Sequence, residues 1–361
     1  MEEQIKQAET DIKRAWPRVM AWAGGISAII GLFASIAGGV TWFINHHNRH
    51  SEQQAQLALA QTQAAQGDYQ ASIETYSDLL KADPSNISIV EKQLDTTMLW
   101  VENYLAPAGE GQNSADLSAV EIGNMIAILE AGLTRAKGSR AADIEAHLGW
   151  AHWLNQKIAA REFGNAAEQN MRAALASDPS NVYANAMLGN WTLQNGGDLT
   201  VAVRMFNTAT ATTKDRPLVR RMQFGGLVYL DKPGARAETV KVANDMRNSG
   251  EDLHAGFKRR IVGFCFDPVF VDQKALTESL SAVSPDQTWK TYLWLDVAPS
   301  DGPDIRTQRA NHDFIQADLL EISGKTNEAL EKYRALLGQL GSNGSPLERP
   351  LRAAIARLSR R

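Results

Sequence analysis

The segment from Gly67 to Asn86, GDYQASIETYSDLLKADPSN, constrains the fold of this chain more than any other. Gly67 and Asp68 interrupt one helix, and apolar or small side chains then recur at the spacing of a second helix. Because proline lacks an amide donor and clashes with the preceding turn, Asp83-Pro84 ends that second helix. A helix pair this short cannot bury both of its faces, so the segment predicts further helical hairpins stacked beside it.

The same pattern returns further along the chain. The tetrapeptide Asp-Pro-Ser-Asn of residues 83–86 recurs letter for letter at residues 178–181. Leu-Gly pairs at 148–149 and 188–189 begin matching first helices, and Gly324 precedes another second helix. Clear copies are predicted at residues 53–86, 142–181, 182–213 and 311–340, with degenerate copies between them.

These residues resemble the tetratricopeptide repeat, a helix-turn-helix unit of about 34 residues that stacks into a superhelix. The first copy departs from the family pattern at Ala60, where glycine is usual, and at Ser72, where alanine is usual. The resemblance implies a TPR-like α-solenoid over residues 46–361, in which the first helix of each unit lines a concave groove. Residues 255–305 could instead form a small inserted domain, and residues 347–358 are predicted to form a capping helix.

A membrane segment is predicted near the N-terminus. Residues 19–44 contain no charged side chain. Trp22 and Trp42 would lie about 30 Å apart on a helix, close to the thickness of the hydrocarbon core. We therefore predict a short tail at 1–18 and a transmembrane helix at 19–45. A cleaved signal peptide, with a small-residue site around Ser35, is the alternative. The predicted fold class is all-α, with a single N-terminal transmembrane helix followed by the solenoid.

Charges flanking this segment predict its orientation. Four basic residues precede it, whereas Arg49 alone follows closely, so we expect the tail to be cytoplasmic. For a bacterial host this places the protein in the inner membrane as a single-pass protein with a periplasmic C-terminal domain. Small residues recur every four positions along the segment and predict helix packing or a homo-oligomer, although membrane helices are generally rich in such residues. These positions are Ala23, Ser27, Gly31, Ser35 and Gly39.

Composition argues against several classes of function. A net charge of −4 gives no case for nucleic-acid binding, which normally requires a concentrated basic face. The only cysteine, Cys265, lies in an apolar run, which predicts a buried and inert thiol. His46, His47 and His50 cluster without further ligands at suitable spacing, so no metal or cofactor is predicted. The sequence contains no GxSxG, Walker, HExxH or GxGxxG motif, and we predict neither catalytic residues nor an enzyme.

The remaining prediction is surface recognition. If the groove positions of the family are carried over to the matching residues of this chain, the groove presents aromatic and polar side chains to a partner protein or peptide. The predicted groove residues are Trp150, Trp153, Tyr183, Ala186, Asn190, Phe314 and Asp318. Each tryptophan could instead fill the core of the longer hairpin. We therefore predict a membrane-anchored scaffold that binds partner proteins. The alternatives are a membrane-tethered sensor for a small ligand or peptide, and an enzyme hidden within 216–305.

Overall fold

A computed structural model describes residues 51–103, 118–159, 165–228, 230, 232–296, 305–340 and 345–360. Within these residues the chain forms sixteen helices and no strand, as expected for an all-α protein. In chain order they are α1 (residues 51–65), α2 (Tyr69–Ala82), α3 (Ile87–Asn103), α4 (Ala119–Leu133), α5 (Gly138–Ala159), α6 (Ala166–Ser177), α7 (Val182–Gln194), α8 (Leu199–Ala211), α9 (Arg216–Leu227), α10 (Ala235–Ser249), α11 (Ala255–Cys265), α12 (Gln273–Leu280), α13 (Pro285–Leu295), α14 (Ile305–Ile322), α15 (Thr326–Leu340) and α16 (Glu348–Leu358).

The chain divides into two compact units, with the boundary between residues 96 and 97. In the first unit, α1 and α2 form the predicted hairpin, and Tyr76 and Leu79 pack with Ala60 and Ile89. The Ser72 hydroxyl donates to the Ala60 carbonyl at 2.8 Å. The two positions that depart from the family pattern are therefore joined by a buried hydrogen bond.

The repeated tetrapeptide forms the same connector in both of its copies. Asp83 accepts from the Ser85 hydroxyl at 2.8 Å, and Asp178 accepts from the Ser180 hydroxyl at 2.8 Å. The asparagine that follows caps the next helix, since the Asn181 side chain accepts from the Ala184 amide at 2.9 Å. One four-residue sequence therefore ends a second helix and begins the next first helix.

In the second unit, α5 pairs with α6 and α7 pairs with α8, and the first helices α5, α7 and α9 pack side by side. Glycine permits this approach at two positions. A Cβ on Gly149 would lie 2.7 Å from the Ala167 carbonyl oxygen, and one on Gly189 would lie 3.1 Å from the Phe206 ring. The Leu-Gly pairs thus mark where a second helix packs closest to its first helix.

The C-terminal part departs from regular hairpins. Helix α10 packs against α11, α12 and α13, while α12 and α13 contact α14. Helix α14 pairs with α15, and α16 covers α15 at the predicted capping position. Buried residues from Phe257 to Leu295 share one apolar core with Phe314 and Leu351. The described residues of 255–305 therefore belong to the core of the second unit.

The membrane part of the predicted fold class requires correction. Among the residues that the structure describes, no helix is long and apolar enough to cross a bilayer. Helix α4, rich in apolar residues, would extend only about 22 Å and contains Glu121 and Glu130. The predicted segment 19–45, with its ladder of small residues, lies outside the described residues. The single-pass span and the inner-membrane location with a periplasmic domain are therefore not retained.

Candidate functional site

The residues predicted to line a groove lie on α5, α7 and α14, and most of them are buried. Trp150, Ala186, Asn190, Phe314 and Asp318 are each at most 4% exposed. Trp153 and Tyr183 are half-buried. In this conformation, a partner could reach only these last two among the seven predicted residues.

The two tryptophans of α5 form one aromatic pair. Their ring centroids are 4.6 Å apart at an interplanar angle of 34°. Trp150 is packed in the interior, whereas Trp153 lies at its edge with the Lys157 ammonium 5.3 Å from its ring centroid. An ammonium at this distance over an indole is attracted by the ring quadrupole. Trp153 is therefore a partly exposed ring supported by a buried one.

Tyr183 occupies a comparable position at the start of α7. Its ring centroid lies 4.5 Å from that of His147 and 4.8 Å from the Lys214 ammonium. Thr213 and Asp215, on either side of Lys214, have positive φ angles of 60° and 46°. Such angles are costly for a β-branched residue and persist where the surrounding structure requires them. This strained turn holds Lys214 over the Tyr183 ring.

A buried polar cluster lies next to Tyr183. The His147 side chain is fully buried, and its Nε2 lies 2.9 Å from Glu102 Oε1 while its Nδ1 lies 2.6 Å from the Asp143 carbonyl oxygen. The Asp143 carboxylate accepts from the Asn181 amide at 2.7 Å and pairs with Lys214 at 3.1 Å. Both ring nitrogens of His147 are engaged, so the cluster fixes α5 in place and leaves no free base.

Electrostatics around Tyr183 are dominated by burial and by carboxylates. Burial raises the pKa of the Tyr183 hydroxyl, and the charges of Glu102, Asp215 and Asp143 raise it further. Burial also raises the pKa of Asp215, to which the Glu102 charge adds. Tyr183 therefore remains a neutral hydroxyl at neutral pH and offers a ring and a hydrogen-bonding group.

The side chain of Asn190 is hydrogen-bonded to the main chain of a neighbouring helix. Its Nδ2 donates to the Met222 carbonyl of α9 at 2.7 Å, and Gln194 Nε2 donates to the Gly225 carbonyl at 3.1 Å. A Cβ on Gly226 would lie 2.9 Å from Leu193 Cδ1, so glycine lets α7 and α9 approach closely here. Asn190, predicted as a groove residue, therefore joins two helices.

The pair predicted on α14 lies in the interior of the C-terminal hairpin. The Phe314 ring centroid is 5.5 Å from that of Tyr333, and the Tyr333 hydroxyl donates to Asp318. Burial raises the pKa of Asp318 to about 6, against the lowering effects of that hydrogen bond and of Arg357. Nearby, Glu321 accepts from Arg357 at 2.6 and 3.0 Å. These residues hold α14, α15 and α16 together.

A shallow cleft of about 300 Å³ opens between α13, α14 and α15. Four of its eight lining residues are apolar and four are polar. The lining residues are Pro285, Trp289, Gln316, Leu319, Leu320, Ser323, Lys325 and Lys332. No residue of this cleft was predicted from the sequence, because α13 lies in the part of the chain where the repeat pattern fades.

The reactive groups considered from the sequence are one cysteine and three histidines. Cys265 is buried, as predicted, and burial raises the pKa of its thiol. The three histidines at 46, 47 and 50 lie outside the described residues. Within the described ranges, no group of three or more His, Cys, Asp and Glu side chains could hold a metal ion.

Sequence reasoning missed the polar cluster beside Tyr183. His147 directly precedes the Leu-Gly pair of α5, and a histidine on an otherwise apolar helix face was the available signal. Its partner Glu102 lies 45 residues away, and Lys214 is separated from its partner Asp143 by 71 residues. Contacts over such distances are set by the packing of helices and have no local pattern.

Comparison with known proteins adds no further identification. No protein-family model matches the chain, and no curated protein matches it either.

Proposed function

We propose that this protein is a helical-repeat scaffold that binds partner proteins or peptides through a surface on α5 and α7. The surface, called here the α5–α7 surface, consists of Trp153 and Lys157 on α5, Tyr183 on α7, and Lys214 from the turn between α8 and α9. The observation that supports it most is the occurrence of two half-buried aromatic rings on neighbouring first helices, each with a lysine ammonium over the ring. Aromatic side chains held by a rigid support are the usual anchors of protein recognition.

The support beneath these rings favours binding without rearrangement. Trp153 packs on the buried Trp150, and Tyr183 packs on His147, which is itself held at both ring nitrogens. A partner therefore meets side chains whose rotamers are already fixed, which lowers the entropic cost of association. Both lysines are exposed and can contact polar groups of the same partner.

The tetratricopeptide resemblance is retained as part of this proposal. The shared Asp-Pro-Ser-Asn connectors and the glycine contacts at Gly149 and Gly189 support it, because both are features of the hairpin geometry that the family pattern encodes. In that family the first helices line the groove, and α5 and α7 are first helices here.

Selection of peptides from a random display library tests the proposal with a defined probe. Peptides selected on the wild-type protein should lose at least about tenfold in affinity on Trp153→Ala or Tyr183→Ala, the effect expected of an anchor residue. Lys241→Ala, an exposed substitution on α10, is the control and should leave affinity unchanged. Selected peptides that bind both aromatic variants as well as they bind the wild type would refute the α5–α7 surface.

A further inference from the structure

The cleft between α13, α14 and α15 has a composition that suits one kind of ligand. The apolar part of its lining, called here the apolar wall, includes Trp289, Leu319 and Leu320. The charged residues of the lining, called here the rim, are Lys325 and Lys332. Among the residues that the structure describes, no aspartate or glutamate lines the cleft. A cleft with an apolar wall and a cationic rim is complementary to a group that joins an apolar side chain to a carboxylate.

The positive charge of the rim is largely uncompensated. Lys332 Nζ donates to Gln316 Oε1, a neutral acceptor, at 2.9 Å, and no carboxylate of the described residues lies within ion-pair distance of it. Lys325 lies 3.7 Å from Glu328, with both side chains more than half exposed, so that pair is weak. The acidic residue next to Pro285, Asp286, is engaged by Lys290 at 2.9 Å. Two ammonium groups therefore remain available to an anion.

The cleft is also held in shape before any ligand arrives. The Trp289 ring packs on Tyr292 and His312, with centroid distances of 5.6 and 5.9 Å. The Gln316 hydrogen bond fixes Lys332 across the α14–α15 hairpin. Such bracing reduces the ordering cost that a flexible lysine and an isolated indole would otherwise add to binding.

We propose that this cleft is a second binding site, and that it takes a segment of a partner protein in which acidic side chains flank a leucine or phenylalanine. A volume of about 300 Å³ is at the lower limit of ligand pockets and accommodates one large side chain with its backbone. The shallow form leaves room for the rest of an extended chain, and the lysines pair with the flanking carboxylates. The site shares no residue with the α5–α7 surface and does not depend on it.

Fluorescence anisotropy with a blocked peptide tests this assignment. The probe is a C-amidated peptide of six residues in which four glutamates flank two leucines, labelled with fluorescein at its N-terminus. It should bind the wild-type protein, and Lys332→Glu and Lys325→Glu should each weaken binding about three- to tenfold, since each replaces an attraction by a repulsion. Lys241→Glu, a lysine of α10 with a similarly exposed side chain, is the matched control and should bind like the wild type.

Three further probes distinguish the proposed ligand from other ligands. Replacement of all four glutamates by glutamine should abolish binding, and dodecanoate, a carboxylate on a simple alkyl chain, should compete poorly. A photoreactive leucine in the probe should crosslink to Trp289 or Leu320. Equal binding of the glutamine peptide, or crosslinks only to the α5–α7 surface, would overturn the proposal. Failure of the glutamate peptide to bind at about 1 mM, or binding of dodecanoate in its place, would overturn it as well.

Discussion

The buried carboxyl of Asp318 should make the second unit less stable as the pH rises, and Asp318→Asn should remove this effect. The side chain is 1% exposed, accepts from the Tyr333 hydroxyl and has an Oδ2 without a hydrogen-bond partner among the described residues. Burial raises its pKa from 3.8 to about 6. An asparagine keeps the acceptor for Tyr333 and has no charge to bury.

The sign and size of the effect follow from linkage. Below pH 3.8 the carboxyl is protonated in both the folded and the unfolded state, so no charge is buried. The contribution of this group to the free energy of unfolding is then at its highest. Between pH 3.8 and about 6 the unfolded state releases the proton first, so stability falls by about 1.4 kcal/mol for each pH unit. Above about pH 6 the accumulated cost is about 3 kcal/mol, and the attraction of Arg357 is already included in the pKa of about 6 from which this cost follows.

Thermal unfolding of the two proteins across pH 4 to 8 measures this difference. Relative to the wild type, Asp318→Asn should gain stability as the pH rises and level off above about pH 6, with a Tm increase of about 5 to 10 °C. Asp313→Asn, on the same helix and half-buried, is the control and should change the free energy of unfolding by less than about 0.5 kcal/mol. A difference between wild type and Asp318→Asn that is flat with pH, or a variant that is less stable at pH 8, would refute the reasoning.

Three other predictions concern packing. Gly149→Ala should lower the free energy of unfolding by about 1–3 kcal/mol, because its Cβ would lie 2.7 Å from α6. Gly123→Ala, with no atom within 4 Å of the added Cβ, is the control and should stabilise α4 by about 0.5–1 kcal/mol. Equal effects of the two substitutions would contradict this prediction. Ser72→Ala should lower the free energy of unfolding in urea by about 0.5–1.5 kcal/mol, because the hydrogen bond to the Ala60 carbonyl is lost. An unchanged free energy would show that this hydrogen bond does not stabilise the hairpin. Cys265 should react with a thiol reagent only after denaturant is added, and fast labelling of the folded protein would show that it is not buried.

The sequence predicted the hairpins well because their determinants are local. Gly67 and Gly324, at predicted turns, and Gly196, at the turn between α7 and α8, have φ angles of 79–83°, which glycine adopts at no steric cost. The connectors at 83–86 and 178–181 bond within themselves, so their geometry is written in four consecutive residues. Such features require no knowledge of what packs around them.

Most side chains predicted to be exposed in the groove are buried, and the reason is physical. Helical spacing fixes which face of α7 contains Asn190, but not that α9 approaches that face closely enough to bury it. The same holds for Asp318, which Tyr333 of the next helix covers. The cleft beside Trp289 depends on the packing of α13 against α14, and the sequence offered no repeat pattern there from which to infer it.

The proposed function depends most on the α5–α7 surface. The most direct test of this surface is the dissociation constant of one library-selected peptide, measured by calorimetry for the wild type, Tyr183→Ala, Trp153→Ala and the control Lys241→Ala. We predict a loss of affinity of about tenfold or more for each aromatic variant, with unchanged circular dichroism, and wild-type affinity for the control. Equal affinity of all four proteins would contradict the proposal that this surface binds the partner.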